Sequence, residues 1–126
     1  MSDELFERGM KIRRQVLGDA HVDRSLAGAD EFSQDLQRMV TEFAWGGVWS
    51  RDGLSLKQRS LSNLAMLSVL NRPHELEIHL RGALHNGCSV DEIRETLLQV
   101  AIYAGFPAAL DAFRVAKQIL TEEGAL

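Results

Sequence analysis

Pro73-His-Glu-Leu-Glu-Ile-His-Leu-Arg-Gly-Ala-Leu-His-Asn-Gly87 is the stretch on which the fold class turns. Leu76, Leu80, Ala83, Leu84 and Gly87 fall at i, i+4, i+7, i+8 and i+11, which draws one apolar stripe on a helix of 3.6 residues per turn and does not fit the alternation of a strand. Proline suits the first helical turn, where its missing N–H has no partner to lose, and Asn86-Gly87 supply a stop. Toward the N-terminus, Ser55 and Gln58 have the spacing of a capping box and open a helix over about 56–70. From Leu61 to Leu70 that helix is apolar on nearly every side, with Ser62, Asn63 and Ser68 as exceptions. Toward the C-terminus, Ser89 and Glu92 form a second capping box, and the helix it starts runs through Tyr103. Gly105-Phe-Pro107 breaks the chain before a last helix over about 108–122.

The first third reads in the same way. A helix over about 3–17 ends at Gly18, and a short helical piece follows over about 22–27. Asp30 is a suitable N-cap for a third helix, whose Phe32, Leu36, Met39, Val40 and Phe43 have the spacing of one buried face. That helix is expected to dissolve at Gly46-Gly47, with Trp49-Ser-Arg-Asp-Gly53 as a loop. With two prolines, no sustained strand alternation, no repeat and no linker, the expectation is an all-α fold: one domain over residues 1–126, a bundle of six to seven helices. Helices apolar all round must be buried all round, so an oligomer is expected.

The 126 residues carry 14 Lys and Arg against 18 Asp and Glu, a net charge of −4, with 45% hydrophobic and 25% charged residues. That is the composition of an ordinary soluble globular domain. No basic run offers the electrostatic footing for nucleic acid. The longest nearly apolar stretch, 97–110, is too short for a membrane span and is interrupted by Gly105 and Pro107. The single cysteine, Cys88, excludes an intrachain disulfide and any CxxC redox or zinc motif. An acidic start without an apolar leader gives a cytoplasmic expectation.

Several residues could carry chemistry. His79 follows Leu76 by three and precedes Ala83 by four, so it lies on the shoulder of the stripe. It is either a hydrogen-bonded core histidine or a general acid or base, and spacing leaves both open. His74 and His85 project to the opposite side and are expected at the surface unless a partner subunit covers them; His21 is assigned to a cap or turn. Thr41-Glu-Phe-Ala-Trp-Gly-Gly-Val-Trp-Ser-Arg51 gathers both tryptophans, a carboxylate and an arginine around a double glycine. Flexible backbone beside rigid rings builds either a pocket wall or a helix end with core aromatics. Glu42 stands on the shoulder of the expected buried face and, taken alone, reads as a rim carboxylate. Arg59, in the first turn of the apolar helix, carries a guanidinium fork that matches two carboxylate oxygens, although arginines at helix starts are usually solvated. Tyr103 either shapes a pocket floor or ends a helix. Cys88 opens a helix, where a thiolate is somewhat stabilised, but without a second cysteine or a base it is read as structural. HExxH, P-loop, GxGxxG and GxSxG motifs are absent.

Four stretches together carry a resemblance: His79-Leu-Arg-Gly-Ala-Leu-His-Asn-Gly87 with Ser89-Val-Asp-Glu-Ile93, Leu98-Gln-Val-Ala-Ile-Tyr-Ala-Gly-Phe-Pro107, Arg8-Gly-Met-Lys-Ile-Arg-Arg-Gln-Val-Leu-Gly-Asp-Ala-His-Val-Asp23, and the tryptophan segment 41–51. The sequence resembles the carboxymuconolactone decarboxylase family, part of the all-α superfamily that includes the alkylhydroperoxidase D proteins, over almost its whole length. Peroxidase-type members of that superfamily carry CxxCxxxH. Counting back from His79, the cysteine positions here hold Arg72 and Glu75, so disulfide-based peroxidase chemistry does not carry over.

The resemblance implies decarboxylation of a carboxymuconolactone in aromatic catabolism, without metal or organic cofactor, by a homo-oligomer, a hexamer built from dimers or trimers. It implies His79 as proton donor or oxyanion partner, Arg59 (with Arg51 second) for a substrate carboxylate, and Glu42 as an orienting or relaying group. Trp45, Trp49 and Tyr103 would line the pocket, with His85 entering it only from a neighbouring subunit. A same-fold enzyme acting on another lactone or a hydroperoxide, or a non-enzymatic helical oligomer that binds a ligand, are the alternatives.

Overall fold

The computed structural model describes residues 2–126, and every regular element among them is helical. The elements are α1 (Ser2–Leu17), α2 (Asp19–Ala27), α3 (Gln34–Met39), a π-helical segment (Val40–Trp49), α4 (Leu56–Val69), α5 (Pro73–His85), α6 (Val90–Ala104) and α7 (Phe106–Glu122). The all-α reading holds. The chain divides into two compact units, one ending at Ser55 and the other spanning Leu56–Leu126.

In the second unit, α4 and α5 run antiparallel. The Asn86 side-chain amide, at the C-terminal end of α5, donates to Ser60 Oγ near the start of α4 at 2.8 Å. Leu64, Leu76, Leu80, Ala83, Ile93, Leu97, Ala112, Ala116, Ile119 and Leu120 close the core, so each of the four helices contributes its stripe. The signals at Pro73, Ser89 and Gly105 worked as read. Pro73 opens α5. Ser89 Oγ accepts from the Glu92 N–H at 3.0 Å while the Glu92 carboxylate accepts from the Ser89 N–H at 2.9 Å, a complete capping box. Gly105 turns the chain at φ 103°, a conformation that suits glycine. The turn is so tight that α7 starts at Phe106, two residues earlier than expected, with Pro107 inside its first turn.

The first unit departs further from expectation. α1 ends at Gly18 as read, but α2 begins at Asp19, which places His21 inside a helix with Ser25 Oγ 3.5 Å from its Nε2. Asp30 caps a turn, accepting from the N–H groups of Phe32 and Ser33 at 3.0 Å each, and regular helix begins only at Gln34. The double glycine does not end the helix. The chain widens into a π-helix that runs through Gly46-Gly47 to Trp49, and the Ser50 N–H still reaches back five residues to the Trp45 carbonyl at 3.1 Å.

The face expected to be buried is the exposed one. Phe32 is 96% accessible, and Leu36, Met39 and Phe43 are each more than half exposed. Thr41, Glu42, Trp45, Gly46 and Trp49 turn inward instead. The reason lies on α1. Buried Arg13 donates to Thr41 Oγ1 at 3.0 Å and to Gln37 Oε1 at 2.9 Å, so the side of the helix bearing Gln37 and Thr41 must face it. Burial pushes the Arg13 guanidinium below its usual range, and neighbouring Arg14 adds to this.

Candidate functional site

The residues singled out from sequence fall into both units. Glu42, Trp45, Trp49 and Arg51 belong to the first unit; Arg59, His79, His85 and Tyr103 belong to the second.

In the π-helical segment, Glu42, Trp45 and Trp49 lie on the inward side. The two indoles stack, with ring centroids 4.6 Å apart and an interplanar angle of 29°. They are core aromatics of this unit. Glu42 is 8% exposed, so it is no rim carboxylate. A buried charge needs a partner, and Arg38, one turn earlier, supplies it: its Nε lies 2.8 Å from Glu42 Oε1, as an ion pair rather than an aligned hydrogen bond. Arg38 is itself fixed by Asp3 at 3.1 Å and by the Phe6 ring, whose centroid is 5.0 Å from the guanidinium carbon. Arg51 is exposed just beyond the segment.

In the second unit, His79 is half-buried on α5, as its place beside the stripe requires. Its Nδ1 lies 3.4 Å from the side-chain nitrogen of Asn63 on α4. Arg59, also half-buried, is four residues before Asn63. An i, i+4 pair shares one helix face with Cβ atoms about 5–6 Å apart. Arg59, Asn63 and His79 are therefore gathered on one side of the α4–α5 hairpin. That side offers a cation for an anionic substrate and an imidazole held by an amide. His74 and His85 are exposed. Tyr103 is 83% exposed and borders an open groove with Leu61, Ala65 and Thr96, so within one chain it does not close a pocket.

Cys88 corrects the helix-start expectation. The thiol is buried against the Lys57 carbonyl, 3.6 Å away. Burial first, and then the Glu92 carboxylate, push it up to about 11, while the Lys57 cation opposes them. Desolvation outweighs the helix terminus here.

Asn63 and Arg38 were not among the sequence candidates. Asn63 is one of few polar residues in an apolar helix, and that exception is the signal that could have found it. Arg38 is legible only as an i, i+4 partner of Glu42.

Residues 34–118 match the carboxymuconolactone decarboxylase family. The chain is 42% identical to a 4-carboxymuconolactone decarboxylase of Acinetobacter baylyi over 125 residues, covering 98% of this chain and 93% of that one. It is 41% identical to the nitrosuccinic acid decarboxylase of Metarhizium robertsii over 118 residues, covering 94% of this chain and 82% of that one. A 4-carboxymuconolactone decarboxylase of Pseudomonas putida is 49% identical over 41 residues, 32% of this chain and 85% of that one. With the helical fold, the family match across most of the sequence and an alignment running nearly end to end, the chain belongs to the carboxymuconolactone decarboxylase family.

Proposed function

We propose that this protein decarboxylates 4-carboxymuconolactone to the β-ketoadipate enol-lactone, in the protocatechuate branch of aromatic catabolism in the cytoplasm. The substrate's ring carboxylate sits on the carbon γ to an unsaturated lactone carbonyl. Breaking the bond to that carboxylate releases carbon dioxide and sends the electron pair through the ring double bond into the carbonyl, giving a dienolate. A proton delivered to the α carbon completes the enol-lactone. The substrate is its own electron sink, so the reaction calls for no resident cofactor.

What the protein must supply is a cation for the carboxylates, a partner for the developing oxyanion and one proton. Arg59 is proposed for the first task and His79 for the others. Glu42, Arg51, Trp45, Trp49 and Tyr103 are proposed as further contributors, and His85 only from a neighbouring subunit. The observation that carries this reading is the gathering of Arg59, Asn63 and His79 on one side of the α4–α5 hairpin in a chain 42% identical to a named decarboxylase.

The match to a nitrosuccinic acid decarboxylase at 41% identity favours a second substrate of the same logic. There the nitro group beside the departing carboxylate can take the electron pair as a nitronate. Following the ultraviolet absorbance of 4-carboxymuconolactone and of nitrosuccinate with the same preparation decides between them. Turnover of the lactone alone supports the first reading, turnover of nitrosuccinate alone overturns it in favour of the second, and turnover of neither overturns both.

The exposed apolar residues Phe32, Leu36, Met39 and Phe43 in the first unit, and Met66, Val69, Ile102, Phe106 and Leu110 in the second, support a homo-oligomer, proposed as a hexamer. Such surfaces are uncommon on monomers. Light scattering at micromolar concentration tests it, and a clean monomer would sink it.

A further inference from the structure

We infer that Arg72 anchors the carboxylate that the reaction retains, which makes dianions built on a succinate unit the substrate class of this chain. The inference rests on the proposed decarboxylation and narrows what it accepts. In 4-carboxymuconolactone the carbon that loses its carboxylate also carries an acetate arm, and in nitrosuccinate the corresponding carbon carries the same arm. The two differ in the electron acceptor. The departing carboxylate loses its charge as carbon dioxide forms, so a cation held on it stabilises the ground state more than the transition state. The arm keeps its charge, so a cation there binds both states alike and shows itself in KM. One arginine is not suited to both carboxylates, and the arm calls for a second guanidinium set back from the reacting carbon.

Arg72 has that place. In the second unit Lys57, Arg81, Arg94 and Arg114 each face a carboxylate, whereas Arg72 is exposed and makes no ion pair among the described residues. Three contacts set the register of the α4–α5 hairpin: Asn86 against Ser60, Asn63 against His79, and the Arg72 N–H donating to the Leu67 carbonyl at 3.0 Å. Arg59 therefore lies to one side of His79 along the hairpin and Arg72 to the other. Arg72 precedes His79 by seven residues, two turns on the same side of α5 and about 10 Å along its axis. The His79 side chain leans back toward that end, as helical side chains do. Between them α4 presents Met66 and Leu70, both more than half exposed, an apolar footing for the body of a substrate. Arg72 also rims a cleft of about 220 Å³ floored by Leu67, Leu76 and Val115. Asp111 on that rim is already held by Arg114 at 2.8 Å. Glu75, exposed on the same side of α5, repels an anion, and the Arg72 charge offsets it.

The test uses the full-length protein and Arg72→Gln, a change at an exposed position. For 4-carboxymuconolactone, KM should rise on the order of ten- to a hundredfold, the range of a lost charge-assisted hydrogen bond, while kcat changes less than threefold. Arg72→Lys, which keeps the charge but not the fork, should recover part of the loss. The same lactone with its arm carboxylate converted to an amide should show the wild type a KM as high as the diacid shows Arg72→Gln. Arg72→Gln should no longer tell diacid from amide, because the two changes remove one interaction. A variant that still prefers the diacid as strongly as the wild type would overturn the inference. So would an unchanged KM, or a fall confined to kcat.

Calorimetry with succinate, which has both carboxylates but no electron acceptor and so does not react, reads the anchor apart from turnover. The wild type should bind succinate more tightly than propionate, and Arg72→Gln should bind the two alike. A wild type without that preference would overturn the inference, a result that needs no variant to fold. The expected succinate preference, lost in Arg72→Gln, with no lactone turnover in any form would support Arg72 as the anchor and overturn the substrate assignment instead.

Discussion

Gly9 and Gly46 meet backbone to backbone where α1 crosses the π-helical segment. A Cβ on Gly9 would stand 2.7 Å from the Gly46 nitrogen and 2.0 Å from the Thr41 carbonyl oxygen, and a Cβ on Gly46 would stand 2.4 Å from the Leu5 carbonyl oxygen. These obstacles are main-chain atoms, which cannot swing aside as a side-chain tip can. Gly9→Ala should therefore cost about 3 kcal/mol, at the upper end of overpacking. Gly53→Ala, where a Cβ meets nothing within 4 Å, should stay within about 0.5 kcal/mol. Both tryptophans lie in this unit, so urea unfolding followed by their fluorescence reads the comparison directly. Equal midpoints for the two variants would show that the crossing is looser than its geometry.

His79 and His85 occupy one helix but not one surroundings: His79 is half-buried against Asn63, and His85 is exposed. His79→Ala should lower kcat by about 10²–10⁴ while helix content and assembly persist. His85→Ala should change it by less than about tenfold, or 1.4 kcal/mol on the barrier. Both are measured at saturating substrate. A more damaging His85→Ala would move the reacting face of α5 to the other side, or bring in a neighbouring subunit's histidine.

Cys88 should take no part in turnover, and Cys88→Ser should keep activity within a few-fold. The thiol, pushed up to about 11 from an ordinary 9.0, is neutral in the folded protein where an unfolded chain begins to ionise. Its folded value is raised, so its contribution to stability is complete below pH 9 and is lost as pH climbs from 9 to 11. Iodoacetamide should label the folded protein slowly at pH 8, and Cys88→Ser should flatten the alkaline part of the stability profile. Rapid labelling at pH 8 would mean that the thiol is not buried as described.

Sequence alone determined the helices of the second unit, because their signals lie within a few residues of the events they cause. Pro73 sets the start of α5, Ser89 and Glu92 close a capping box within one turn, and Gly105 makes a turn that few other residues can. It also identified the family, and it placed His79 beside a stripe that proved to be buried. Tertiary structure decided which face of α3 and the π-helical segment turns inward. Periodicity favoured Phe32, Leu36 and Phe43, yet the inward positions went to Thr41, Glu42 and Trp45. The choice rests on Arg13 and Gly9, some thirty residues earlier in the chain, one demanding hydrogen-bond acceptors and the other allowing a backbone approach that no side chain would permit. The partners of Glu42 and His79 were settled in the same way. A hydrogen bond between side chains leaves no period in the sequence, and it exists only once two helices have been packed at one distance and one register.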